Sequence, residues 1–581
     1  MKKRICILLC AAMILSAFGG CGGSTQAQAS ESAAASEAAS VSAAEADSEG
    51  NDGSGAEQQE EKAEGTVSEQ ETADKTAQTQ AAETAAQAVE TWEVDLDMID
   101  MSKWQYDSGS DVYWQVGINY CANPADEEYE SLGIFVPGAY MDATDNGDGT
   151  YTCTVNEQGE VNGYTASTAP ILFPVNTPGH KAQDAPTSVS KKCSTYTDEG
   201  YIYVVAGCRG KDSGIPAGVT DLKAAIRYIR YNEELLPGST DRIVVYGHSG
   251  GGSQSAVLGS SGDSSLYTPY LKEIGAASTS DAVSAVMCWC PITGFDSADL
   301  GHEWSMGVTR TDLSDEMQGY SDALAAAYAD YVNAMNFVDE EGNILTLEES
   351  EEGIYQAGTY YEYVKDVIEE SLEHYLQDTS FPTSGKKGSY NSAEEYIASL
   401  NSDTEWVSYD SATGEVTISS IEEFSLHCKQ ATKPVAAFDK LEKGGHELFN
   451  TGDGETTHFD SVLYEIIKGS SYEEDFTADL ASTDALGNSI EYRLNMFSPL
   501  YYLMAANEGY QTANVASSWR IRTGIEQSDT PVTTEINLAL ALESYGSDVD
   551  FETVWGQGHT QAERTGDSTD NFIEWVNSLW K

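Results

Sequence analysis

The segment RIVVYGHSGGGSQSAVLGSS, beginning at Arg242, constrains the fold more than any other part of the chain. A β-branched and aromatic run enters Gly247, the chain turns tightly through Ser249, and helix-compatible residues follow at once. A strand that passes straight into a helix needs the helix to carry the chain back along the sheet, so its neighbour runs parallel to it. The flanking residues repeat the pattern. LGIFVPGAYM, APILFPVN and YIYVVAGCRG are short strand-like runs ending in Gly, Pro or Asn, and Val283 to Cys290 is another. TDLKAAIRYIRYNEELLPG places Leu222, Ala225, Ile226 and Ile229 on one helical face, with Thr220 or Asp221 as its cap and Gly238 past its end. This alternation predicts an α/β protein with a mostly parallel, doubly wound sheet covered by helices on both faces.

Between about Trp304 and Tyr492 the alternation stops. Acidic helical stretches such as SDALAAAYADYVNAMNF and TYYEYVKDVIEESLEHYL fill the interval, which reads as a helical lid inserted above the C-terminal edge of the sheet, over about 304–492. The sheet pattern resumes at SWRIRTGIEQSDTPV, passes through a helix at TTEINLALALESYG and a last strand at DVDFETVWGQGHT, and closes with the amphipathic NFIEWVNSLW. DATDNGDGTYTC, from Asp142 to Cys153, resembles a calcium loop but has no Glu at the twelfth position from either Asp142 or Asp145, so a hairpin turn through Asn146-Gly147 and Asp148-Gly149 is expected.

The first residues have the form of an export signal: Lys2, Lys3 and Arg4, an apolar run from Ile5 to Phe18, small residues, then Cys21. The ending is that of a lipoprotein-type signal peptide over 1–21, with Cys21 as the lipidated residue and the protein held on the outer face of a bacterial membrane by that lipid. Residues 22–91 are Ala, Ser, Glu, Gln, Thr and Gly with almost no large apolar side chain, a composition expected to form a disordered acidic tether ahead of a folded part over 92–581. A net charge of −65 argues against nucleic acid as a partner. Setting aside Cys6, Cys10 and Cys21, seven of the ten cysteines remain, an odd number that cannot all pair internally. Cys288 and Cys290 sit on an apparent strand and read as buried small residues, and no zinc-spaced Cys/His cluster supports a metal. No cofactor is implied.

Gly247-His248-Ser249-Gly250-Gly251 between a strand and a helix is the context that Gly-x-Ser-x-Gly needs to be the nucleophile elbow of an α/β-hydrolase fold. A serine hydroxyl is too weakly acidic to attack an ester unaided and needs a histidine, itself oriented by a third group. On this fold the order is Ser, acid, His, which points to His559 in the loop after the last strand. Among the other histidines, His427, His446 and His458 fall in helical or inserted sequence and His248 stands beside the elbow, where structural roles are expected. The loop after WRIRTG offers Glu526 and Asp529, of which Asp529 is the favoured acid. The Gly250 N–H and the Val175 to His180 loop, VNTPGH, are the expected oxyanion-hole donors.

DLKAAIRYIRYN, the elbow segment through YLKEIGAA, and VMCWCPITGFDSADLGHEWSMG together resemble the bacterial tannases, α/β-hydrolase esterases that cleave galloyl esters. The likeness returns at KPVAAFDKLE, at ELFN, and from WRIRTG to His559. It implies a serine esterase acting on small phenolic esters, with Lys433 and Glu447 holding the ring hydroxyls and Asp529 contacting the substrate. The family has Asp-x-Asp-Thr after the RIR strand; here the residues are Gln527, Ser528, Asp529 and Thr530, so Asp529, Glu526 or an uncharged Gln527 orients the histidine. Feruloyl or acetyl esters, peptides, or ligand binding without turnover are the alternatives that the residues leave open.

Overall fold

The computed structural model describes residues 89–385, 388–429, 435 and 460–581. The signal, nearly all of the tether, and Lys433, Glu447, His446 and His458 lie outside the described residues. Nine strands form the central sheet: β1 Gln105–Asp107, β2 Val112–Asn119, β3 Ser131–Pro137, β4 Ile171–Val175, β5 Ile202–Ala206, β6 Ile243–His248, β7 Ala285–Trp289, β8 Ser518–Gly524 and β9 Asp548–Val554. Their order across the sheet is β1-β2-β3-β5-β4-β6-β7-β8-β9. The first three strands and β5 pair antiparallel, and from β5 onward every pairing is parallel. The expected mostly parallel α/β sheet is therefore present, with an antiparallel edge built by the N-terminal strands.

Strands buried on both faces read as continuous apolar runs, and β6 is the clearest case, with Ile243, Val244 and Val245 wholly buried. Four helices matter most to the site: α1 Ile215–Tyr231, α2 Gly250–Ser260, α3 Val532–Tyr545 and α4 Ser568–Trp580. On α4, Phe572 lies 4.5 Å from the Tyr246 ring and is fully buried, as is Val576, each contributing about 1.5–3 kcal/mol by removal from water.

The cap expected for α1 is corrected by the structure. The helix starts earlier, after Gly214 at φ 79°, with Pro216 in its first turn, and Thr220 and Asp221 lie in its interior. Asp221 is buried and accepts hydrogen bonds from the Arg209 backbone N–H at 2.8 Å and from its guanidinium at 2.7 Å. Thr220 Oγ1 donates to the Pro216 carbonyl. Farther along α1, Lys223 and Arg227 reach the buried Asp281 on the segment leading to β7, at 2.7 Å and 2.5 Å. Burial alone would raise the Asp281 carboxyl, but Lys223 and Arg227 more than reverse it and hold it at about 2.

The segment from Met141 to Val155 is an antiparallel hairpin, Met141–Asp145 against Tyr151–Val155. The Asp145 and Asp148 carboxylates accept the Gly147 and Thr150 N–H groups, so they are spent on the turn. Between β7 and β8 the chain forms a helical block that includes Ala298–Met306, Asp315–Met335, Thr359–Asp378 and Ile421–Cys428. Two small hairpins that the sequence pattern does not announce interrupt it, Thr383–Gly385 with Gly388–Tyr390 and Val407–Asp410 with Glu415–Ile418. The block meets the sheet through Ser371 Oγ donating to the Thr553 carbonyl, His374 Nδ1 2.7 Å from Glu552 Oε1, and Trp555 Nε1 donating to Tyr396. No helix among the described residues is long and apolar enough to cross a membrane.

Candidate active site

Ser249 occupies the sharp turn between β6 and α2, at φ 60° and ψ −126°, a conformation that a side chain other than glycine adopts only where its surroundings impose it. Its own N–H donates to the Trp289 carbonyl at 3.0 Å, tying the elbow to the end of β7. The next link runs from the Cys290 N–H to the Arg522 carbonyl at 2.8 Å, and so to β8. Beyond β8, the Ile525 N–H donates to Val554 O and the Glu526 N–H to Gln557 O at 3.0 Å. At Gly524 a Cβ would fall 2.0 Å from the Gly558 carbonyl, so only glycine lets the last loop lie flat on the end of β8. These backbone bonds gather the ends of β6, β7, β8 and β9 along one edge, and Ser249 and His559 with them.

At that edge His559 Nδ1 donates to Gln527 Oε1 at 2.6 Å. Asp529 Oδ2 stands 3.6 Å from the same nitrogen, with its side chain 56% exposed. Of the three candidates, Gln527 points inward and makes the hydrogen bond to His559, while Asp529, the favoured acid, stands toward solvent at ion-pair range of the same nitrogen. Glu526 is bound into the same turn by its backbone N–H. Burial pulls the His559 imidazole below its ordinary pKa, and Asp529 opposes that in part. Among the described residues Ser249 Oγ makes no hydrogen bond, and His559 Nε2 makes none. The His248 ring, one residue before Ser249, has its centroid 4.8 Å from that of His559.

Behind Gln527 lies a buried polar network that the sequence reading does not include. Gln527 Nε2 faces Thr523 Oγ1 at 2.8 Å, Thr530 Oγ1 at 2.7 Å and Glu535 Oε1 at 2.8 Å. Thr530 Oγ1 donates to the same Glu535 oxygen at 2.7 Å, and Lys429 Nζ donates to the Gln527 carbonyl at 2.9 Å. Burial pushes the Glu535 carboxyl up and the Lys429 ammonium down, each moderated by the other's opposite charge. Nothing in the sequence marks Glu535 apart from any other acid in the first turn of a helix.

His248, Cys290 and His559 offer ligand-type atoms within 4.8 Å of one another. The Cys290 thiol donates to the Thr560 carbonyl at 3.2 Å, and burial pushes it up to about 11, so the proton a metal would have to displace is firmly held. Cys290 is buried as expected, yet it is also a wall of the site. His248 likewise packs against the His559 ring rather than standing apart in a purely structural place; burial draws its imidazole down to about 4.

The loop over Val175–His180 packs on the start of α2. A Cβ at Gly250 would lie 2.4 Å from the Thr177 carbonyl and 2.5 Å from the His180 nitrogen. His180 is buried and pins the loop, its Nε2 2.8 Å from Ser253 Oγ, and burial takes its imidazole down to about 3, so it is neutral there. The Asn176 and His180 amides are already engaged, with Gln183 Oε1 and the Thr177 carbonyl. As the first residue of α2, Gly250 presents an N–H that has no partner within the helix.

The BD-FAE family model matches residues 167–351, a span that holds β4 to β7 and Ser249 but neither Gln527 nor His559. No curated protein matches the chain. Among solved structures it is similar to Fusobacterium nucleatum tannase, at 25% identity and TM-score 0.63, over 85% of this chain and 100% of that one. It is similar to tannin acyl hydrolase from Lactobacillus plantarum at 26% identity and TM-score 0.58, over 84% of this chain and 99% of that one. Tannin acyl hydrolase in complex with ethyl gallate matches at 26% identity and TM-score 0.58, over 83% of this chain and 99% of that one. The sheet order, the elbow and this likeness along nearly the full length of its neighbours give the chain an α/β-hydrolase-type fold like that of the tannases, with residues 167–351 matching the BD-FAE family model.

Proposed function

We propose that the protein is a serine carboxylic ester hydrolase that cleaves galloyl or related phenolic esters, displayed outside the cell on a lipid at Cys21. The observation that carries this reading is the pairing of His559 Nδ1 with Gln527 at 2.6 Å on the edge that also bears the strained Ser249. With Nδ1 protonated, Nε2 is the nitrogen left to act as base. Ser249 Oγ attacks the ester carbonyl carbon as its proton passes to His559 Nε2, and the tetrahedral oxyanion accepts hydrogen bonds from the Gly250 N–H and from the Thr177 or Gly179 N–H, the amides of the Val175–His180 loop not already engaged. Collapse breaks the bond to the alcohol oxygen, which takes the proton from His559. Water then adds to the acyl-serine with the same base and releases the acid. The transfer requires Ser249 Oγ and His559 Nε2 to come within hydrogen-bond reach in the substrate complex, where catalytic hydrogen bonds commonly tighten.

The phenolic substrate is supported by the likeness to a tannin acyl hydrolase bound to ethyl gallate. Lys433 and Glu447 are the proposed partners of the ring hydroxyls, and Asp529, exposed at the mouth of the site, is a third. A fluorophosphonate should label Ser249, with peptide mapping to confirm the position. Hydrolysis of methyl gallate, methyl ferulate, p-nitrophenyl acetate and a peptide should then favour the gallate. No label on folded protein rejects the nucleophile, and a preference for ferulate or acetate rejects the galloyl assignment.

A further inference from the structure

Gln527 raises a chemical problem that its neighbours solve. A carboxylate can only accept from the imidazole Nδ1–H, so it enforces one tautomer; an amide presents either an acceptor or a donor, depending on which way round it sits. With Oε1 toward His559 the ring carries its proton on Nδ1 and keeps Nε2 free to take a proton from Ser249. With Nε2 toward His559 the ring is driven to the opposite tautomer and the base is lost.

We propose that Glu535 is a positioning residue that locks the Gln527 amide with its oxygen toward His559 and thereby holds the imidazole in the tautomer able to accept the Ser249 proton. The proposal rests on the serine-hydrolase reading for its catalytic consequence, though not for the tautomer itself. Glu535 is fully buried in the first turn of α3, and its Oε1 is 2.8 Å from Gln527 Nε2. The Thr530 hydroxyl donates to that same oxygen, which leaves Thr530 as an acceptor for the second amide hydrogen at 2.7 Å. Turning the amide over would set Gln527 Oε1 against Glu535 Oε1, which already accepts from Thr530, and so bring two acceptor oxygens into contact between two buried side chains. Lys429, donating to the Gln527 backbone carbonyl, fixes the main chain from the other side and supplies the counter-charge. His559 is also faced by His248, Cys290 and Asp529, none of which contacts Gln527 Nε2.

The test uses the full chain with nitrogen-15-labelled histidine, the His559 ring signals being identified by their loss in His559→Asn. The parent protein should show His559 protonated on Nδ1 and bare at Nε2. In Glu535→Gln the new amide can donate as well as accept, so the Nε2-protonated form should appear, with kcat on methyl gallate falling about tenfold to a hundredfold and KM within about twofold. Adding Gln527→Asp to that variant puts an obligate acceptor directly on Nδ1 and should restore both the tautomer and most of kcat, which a general packing defect would not allow. A parent ring protonated on Nε2 overturns the proposal without any variant. So does a Glu535→Gln protein whose tautomer and kcat are unchanged. Fluorophosphonate labelling of Ser249 in the parent reads the nucleophile separately: an unlabelled Ser249 with a Glu535-dependent tautomer sinks the esterase reading alone, and a labelled Ser249 with an indifferent tautomer sinks this one alone.

Discussion

His559 Nδ1 lies 2.6 Å from Gln527 Oε1, so the acceptor that orients the imidazole carries no formal charge. Burial, opposed only in part by Asp529, then sets the ring's basicity, and it draws the pKa below the ordinary value of about 6.5. A lowered pKa means that the neutral, proton-accepting form persists to more acid pH. The acid limb of kcat/KM against pH on methyl gallate should therefore have its midpoint below about 6.5, with a plateau above it. Asp529→Asn removes the opposing charge and should move that midpoint further down; an upward move contradicts the assignment.

Replacing Ser249 by Ala should lower kcat by about 10⁴-fold or more and abolish fluorophosphonate labelling, because the loss of one member of such a unit disables the whole. The melting temperature should not fall, since Ser249 Oγ makes no hydrogen bond among the described residues.

Gly250→Ala places a methyl group 2.4 Å from the Thr177 carbonyl and 2.5 Å from the His180 nitrogen, and the loop has to retreat. Displacing an oxyanion donor costs about 10²–10³-fold in kcat, so a loss of that size with a small change in KM is expected in steady-state kinetics. Unchanged kcat would place the oxyanion elsewhere.

Asp281→Asn leaves Lys223 and Arg227 buried with their main counter-charge gone. Breaking a buried pair from one side costs about 3–5 kcal/mol, measurable as a lower urea midpoint. Burial also draws the Lys223 ammonium down, so the intact cluster adds far less to folding than its rupture removes. The Asp281 carboxyl is depressed to about 2 when folded, against about 3.9 unfolded; its contribution is full above the unfolded value and disappears as pH falls toward about 2. The acid-unfolding curve of Asp281→Asn should lack that component.

The legible parts of this molecule are those written in consecutive residues. The passage from IVVY through Gly247 to Ser249 and α2 is one, and the strands flanking it are others, because apolar runs and turn residues act locally. His559 is legible from its place after the last strand. The choice between Gln527 and Asp529 is not, because the Glu526–Gln557 backbone bond, across thirty-one residues of sequence, decides which side chain of the turn faces inward. Glu535 is hidden for a related reason: an acid in the first turn of a helix is ordinarily a solvated partner of the helix dipole, and only the packing of α3 under the turn makes it a buried acceptor. The start of α1 is not legible because Asp221 resembles a cap, while the helix begins after Gly214 with Pro216 in its first turn and Asp221 accepts from Arg209.

The backbone at Ser249 carries a lasting thermodynamic concession. At φ 60° and ψ −126° a glycine would rest more comfortably, by about 1–3 kcal/mol on the usual scale of such penalties. Selection for folding alone would empty that position of its hydroxyl, so a library screened only for heat resistance should drift toward Ser249→Gly, gaining robustness as it surrenders turnover.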